Sequence, residues 1–128
     1  MDRPAHAGLR HLALNVRDLA AMKRFYVDLL GFAVEWEPDP DNVYLSSGID
    51  NLALHAGTRP DGGALDHLGL IVRSADDVDK WAAYLESCGV ALKAMPKTHR
   101  DGARSLYFVD PDGNSVQIIH HPPISQKT

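Results

Sequence analysis

An α+β fold of two tandem βαβββ modules, whose strands form a curved mixed sheet around a central cavity with the helices outside, is what this sequence predicts. Three observations carry the prediction. The segment HLALNVR at residues 11–17 returns as HLGLIVR at residues 67–73, identical at five of seven positions. Each copy leads into apolar residues at helical spacing that stop at a glycine, Gly31 and Gly89. Each helix then gives way to three short strand-like runs separated by turn residues.

In the first copy Leu12, Leu14 and Val16 alternate with His11, Ala13 and Asn15, the period of a strand with one face on a core. The second copy sets Leu68, Leu70 and Val72 against His67, Gly69 and Ile71. Both histidines therefore point away from the leucine face. Asp18 caps a helix through Leu19, Met22, Phe25, Tyr26, Leu29 and Leu30, and its counterpart runs from about Asp76 through Val78, Trp81, Ala82 and Leu85. Trp81 belongs to a core by this spacing, and Cys88 packs at the apolar end of the same helix.

The strands that follow are expected at Phe32 to Glu37, Val43 to Ser47 and Asn51 to Ala56, and again at Val90 to Met95, Arg104 to Val109 and Asn114 to His121. Turns are expected at Pro38 to Asn42, Ser47 to Asp50 and the DPDG run, Asp110 to Gly113, where Pro and Gly supply the backbone angles. One domain results, with modules at about 9–56 and 66–121 joined by 57–65. A helix on the leucine face leaves the other face of each sheet bare. Two modules curling around a shared cavity cover both.

At 128 residues the chain can bury a core without metal or disulfide staples, so a bound ion would be there for chemistry. A net charge of −4 with scattered Lys and Arg offers no field for nucleic acid or an anionic membrane. The opening MDRPAHAGLR has no apolar stretch of signal-peptide length, and the single cysteine, Cys88, forms no internal disulfide. A cytoplasmic protein is the expectation.

Together the motifs RHLALNVRDLAAMKRFYVDLLGF and SLYFVDPDGNSVQII resemble the vicinal oxygen chelate superfamily, which includes glyoxalase I, extradiol dioxygenases and metal-free bleomycin-binding proteins. The likeness covers the chain from about Leu9 to His121. In metal-binding members a ligand sits on the first and last strand of each module. Carried onto this chain, those positions are His11, His55, His67 and Gln117. The family usually has Glu where Gln117 stands, and strand alternation places all four on the face away from the leucines.

This donor set implies a divalent ion. Zn, Ni or Co suits imidazole-rich ligation, with Mn and Fe left open. Losing the carboxylate disfavours oxygen-activating iron chemistry, and Gln117 cannot accept a proton. A base must then come from His55, a metal-bound hydroxide, or a carboxylate such as Glu35 or Glu37. His55 serves either as ligand or as catalytic base, not both. His99, Arg100 and Arg104, with Lys97, lie on a segment expected to loop over the cavity and are candidate substrate contacts, as are Tyr107 and His121. Trp36, Tyr44 and Tyr107 are candidate cavity walls.

The resemblance implies a metal-dependent lyase or isomerase acting on a small oxygenated metabolite through neighbouring oxygens, assembled as a homodimer. A metal-free protein that binds a drug or metabolite in the same cavity is the alternative from another class. An extradiol-type dioxygenase is a third, disfavoured by Gln117.

Overall fold

The computed structural model describes residues 1–57, 64–109, 111 and 113–127. Most of the expected joint, and the two aspartates of the DPDG turn, lie outside the described residues. The chain folds as α+β with the βαβββ order twice over, in two compact units. One spans His11–His67. The other runs from Leu68 onward and takes in Met1–Arg10.

In the first unit β1 (Leu9–Val16) leads into α1 (Leu19–Arg24), then β2 (Ala33–Asp39), β3 (Asn42–Ser46) and β4 (Asn51–Ala56). Asp18 caps α1 by accepting the Ala21 N–H at 3.0 Å, as its position before the apolar run predicts. From Phe25 to Leu29 the helix widens into a π turn, and Gly31 ends it at a φ of +80°, where a side chain would be strained. The strand order is β2-β3-β4-β1, with β1 and β4 parallel and the rest antiparallel. Val16, Val43, Leu45, Leu52 and Leu54 form the core, covered by Leu19, Met22, Tyr26 and Val27. The helix is short and leaves Leu12 40% exposed, so the leucine face is only partly roofed.

In the second module β5 (Leu65–Ile71) is followed by α2 (Ala75–Ser87), β6 (Ala94–Thr98), β7 (Arg104–Val109) and β8 (Ser115–His120), in the order β5-β8-β7-β6. The helix starts one residue before the expected Asp76 because Ser74 and Asp77 cap each other's backbone in a reciprocal box. Val78, Trp81, Ala82 and Leu85 bury against Val72, Leu106 and Ile118, each fully buried side chain contributing roughly 1.5–3 kcal/mol. Cys88 departs from expectation. The helix stops at Ser87, and Cys88 turns outward as an exposed cap instead of extending the buried stripe.

Two strand boundaries also differ, for one reason. Pro38 lies inside β2 and Pro96 inside β6, where turn or loop was expected. Both are outer strands of their unit's order, and both carry a register shift. An outer strand tolerates a residue with no N–H to donate, and a bulge absorbs the misfit. Val90 and Leu92, expected in a strand, instead pack against the α2 core ahead of β6.

Met1–Arg10 is tied to the second unit by hydrogen bonds that alternation cannot foretell: Ala7 N–H to Ile71 O at 2.6 Å, Ile71 N–H to Gly8 O at 2.9 Å, and the Trp81 indole N–H to Ala5 O at 3.1 Å. The C-terminal turns return over the same unit. Ile124, 1% exposed, packs with Ile71, Ala103 and Ile119, while Arg73 donates to Ser125 O and Arg10 to Lys127 O. Among the described residues no helix is long and apolar enough to cross a membrane.

Candidate functional site

On the face of the first unit away from its core, the two repeated histidines meet. His11 Nε2 and His67 Nε2 lie 2.8 Å apart, ring centroids 4.8 Å apart, and both residues are buried. Each ring is held from behind. His11 Nδ1 donates to the Asn51 carbonyl at 3.2 Å, and His67 Nδ1 donates to the Asp66 carboxylate at 2.6 Å. Neither acceptor carries a proton to give, so both imidazoles keep their hydrogen on Nδ1. The two Nε2 atoms then face one another within hydrogen-bond distance, an arrangement satisfied by a shared proton or by an ion held to one side by both rings.

An ion fits that description. The 2.8 Å gap is shorter than two metal–nitrogen bonds of about 2.0–2.1 Å each, and a carboxylate or carbonyl behind each ring is the usual support of a metal-binding imidazole. Asp66 is drawn in two directions: burial raises its pKa, but the His67 hydrogen bond and charge prevail and hold it below the ordinary carboxylate value. Asn15 adds a contact to the same carboxylate at 3.5 Å. Among the described residues no group of three His, Cys, Asp or Glu side chains gathers as a ligand set.

Asn51 extends the network. Lying beside His11 in the parallel β1 and β4 register, it donates from its side chain to Glu35 at 2.9 Å. Glu35 gets there through a bulge. Val34 pairs with Leu45 and Trp36 with Tyr44, so Glu35 and Trp36 together oppose one residue. Trp36 stacks on Tyr44, 5.3 Å between centroids and 25° between planes.

His55 is set apart from His11 along the strands. Its register partner is Asn15, four residues along from the His11 and Asn51 rung, or about 13 Å at strand rise. There its Nδ1 donates to Asn42 Oδ1 at 2.5 Å, Asn42 in turn donates to Asp39, and Tyr44 meets the ring edge-on. Burial lowers the His55 pKa, with the Asp66 charge opposing and the His67 charge adding to the fall. Alternation correctly put residues 51, 53 and 55 on one face. Only register says which of them neighbours His11.

Gln117 belongs to the second unit, where it pairs with Gly69 and Tyr107. Its side-chain N–H donates to the Tyr107 hydroxyl at 2.9 Å, while its buried Oε1 has no hydrogen-bond partner among the described residues. A buried acceptor in that state costs free energy unless a donor or cation meets it.

The expected loop over the cavity is instead a β-hairpin, β6 and β7 joined by a turn closed by His99 N–H to Ala103 O at 2.7 Å. His99 Nε2 lies 2.7 Å from Ser105 Oγ, and burial lowers its pKa. Arg104 corrects the substrate-contact expectation. It shares the helix-side face of β7 with Leu106, and both prongs of its fork hold Asp79 of α2, at 3.0 and 2.7 Å. Arg100 is exposed on the turn. His121 is buried where the C-terminal turns begin, its N–H donating to Ser125 Oγ at 2.8 Å.

A repeated βαβββ unit with facing strand histidines defines a class, and comparison with known proteins names it. The model of the Glyoxalase/Bleomycin resistance protein/Dioxygenase superfamily matches residues 8–118, and the chain belongs to that superfamily. It is 30% identical to the uncharacterized protein YaeR of Escherichia coli (strain K12), over 86% of this chain and 93% of that one. The 2,2',3-trihydroxybiphenyl dioxygenase of Sphingomonas paucimobilis is 31% identical over 87% of this chain, which spans only 40% of that enzyme. The fold is that of the 2,3-dioxygenase LapB from Pseudomonas sp. KL28, with a TM-score of 0.78 at 21% identity, covering 91% of this chain and 43% of LapB.

Proposed function

We propose that this protein is a metal-dependent enzyme that holds a divalent ion at His11 and His67 and acts, as a lyase or isomerase, on a small oxygenated metabolite bound through neighbouring oxygens. The observation that carries this reading is the 2.8 Å approach of two Nε2 atoms whose Nδ1 hydrogens are both committed elsewhere. When bound, such an ion polarises substrate oxygens as a Lewis acid. Asp66 and the Asn51 carbonyl fix the tautomer and angle of the two rings.

His55 suits the base role better than the ligand role. With Nδ1 donating to Asn42, its Nε2 lone pair is left to take a proton, and a lowered pKa keeps the ring neutral near pH 7. Glu35, which accepts from Asn51 beside His11, is a second candidate proton acceptor.

Metal analysis of untagged protein tests the proposal. One equivalent of Zn, Ni or Co per chain is expected, falling at least 100-fold in affinity for His11→Ala and for His67→Ala, on the order of 3 kcal/mol. Less than about a tenth of an equivalent, with no specific uptake on titration, points to the metal-free binding protein. That second reading draws support from the absence of a third charged or imidazole donor at the pair among the described residues. Oxygen uptake with catechols tests a dioxygenase, the activity named for a relative more than twice as long. A homodimer is proposed on the family resemblance, with sedimentation as its check.

A further inference from the structure

A single rung of polar side chains crosses the first unit from its outer strand inward. Asp39 of β2 pairs with Asn42 of β3, Asn42 with His55 of β4, and His55 with Asn15 of β1. Partners in register share a face, and Val43 and Leu54, the chain neighbours of Asn42 and His55, take the opposite one in the core beneath α1. The rung begins at a hairpin. Asp39 ends β2 and Asn42 opens β3, and a second register shift after Trp36 is what brings them opposite one another.

The hydrogen bonds along this rung have one consistent direction. Asp39 Oδ1 accepts the Asp41 N–H at 2.9 Å, and the Asn42 amide nitrogen donates to both Asp39 oxygens, at 2.9 and 3.2 Å. An ionised carboxylate accepts and does not donate, so the amide turns its nitrogen to Asp39 and its Oδ1 to His55. That oxygen only accepts. His55 therefore meets it with a hydrogen on Nδ1, 2.5 Å away, whereas imidazole free in water favours the hydrogen on Nε2. Nε2 keeps a lone pair, and no hydrogen-bond partner meets it among the described residues. Asp66 holds the Nδ1 hydrogen of His67 directly, while Asp39 acts on His55 through a neutral amide. Orientation is passed on without a full charge on the ring.

We propose that Asp39 and Asn42 are positioning residues for His55: the carboxylate fixes the amide, and the amide fixes the ring as a proton acceptor at Nε2. This role rests on the reading of His55 as base given above, and it sets the direction of the first proton transfer, from ligand to protein. A ligand served by this ring presents an acidic hydrogen.

Long-range 1H–15N correlation spectra of 15N-labelled, metal-free protein at pH 8, with His55→Gln to assign the signals, test the role. The His55 hydrogen is expected on Nδ1, by about fivefold or more over the other tautomer. Asp39→Asn lets the Asn42 amide reverse, and Asn42→Ala removes the acceptor; each should bring the two forms to within about twofold of parity. Asn42→Asp, whose carboxylate also accepts from Nδ1, should restore the preference. A hydrogen on Nε2 in the unaltered protein, or a preference unmoved by both substitutions, overturns the role. One equivalent of Zn(II) should then leave the His55 nitrogens in place. If it moves the Nε2 signal instead, the ring is a ligand and the base reading falls, while Asp39 and Asn42 still position its lone pair.

Discussion

Matched rung for rung, the two modules use the same face of the same scaffold in opposite ways. Ala13 pairs with Ala53 in the first, and Gly69 pairs with Gln117 in the second, so the counterpart of Gln117 is Ala53 and that of His55 is Ile119. Asn15 corresponds in turn to Ile71. Where the first module lays out polar groups, Asn15 with Asp66 and His55 with Asn42, the second presents two isoleucines that Ile124 covers. A duplicated backbone has therefore not duplicated a site. One copy spends this face on packing its own C-terminal turns, and the other lines it with hydrogen-bonded polar side chains.

Breaking the packed copy should cost most. Ile124→Ala removes a fully buried side chain from between Ile71, Ala103 and Ile119, and is expected to lower unfolding stability by about 2–4 kcal/mol in urea titrations. If the C-terminal turns merely rest on the surface, the loss will be under about 0.5 kcal/mol. Forcing the modules to match comes next. Ala53→Gln gives the first module the carboxamide of the second at a position 1% exposed, and overpacking should cost about 1–3 kcal/mol by the same measurement.

The helices sharpen the contrast on a smaller scale. Ser74 and Asp77 cap α2 reciprocally, whereas Asp18 supplies one hydrogen bond to α1. Ser74→Ala should cost about 1 kcal/mol and Asp18→Ala about half of that. Equal losses would show that the reciprocal bond adds nothing.

Acid should act on both modules, and mildly. Burial depresses the folded-state pKa of His55 in the first unit, and of His99 and His120 in the second. Each then contributes stability in full above the ordinary value near 6.5, and that stability is lost as pH falls through the lowered folded value. The thermal midpoint should be lower at pH 5.5 than at pH 7.5, and His99→Gln should lessen the difference. A midpoint that rises on acidification would contradict the burial assignment.

Much of this could be seen in the residues alone. Alternation placed His11 and His67 opposite the leucines, helical spacing put Trp81 in a core, and the glycines after each helix marked its end. The symmetric four-ligand set was less secure, because alternation has a period of two and cannot tell position 53 from position 55. The reach of Glu35 to Asn51 was hidden for a related reason. A bulge shifts the alternation in β2 by one residue, and nothing in VEWEP declares where it falls.

By itself the sequence determined the repeat, the order of elements, the sides on which the apolar residues lie and the face shared by His11 and its repeat His67, because these follow from local periodicity and backbone chemistry. Tertiary structure decided the rest. Which strands pair, and in what register, set His55 apart from His11, matched Ala53 with Gln117 and turned Arg104 to Asp79. Those outcomes depend on contacts between residues far apart in the chain, which local preference does not encode.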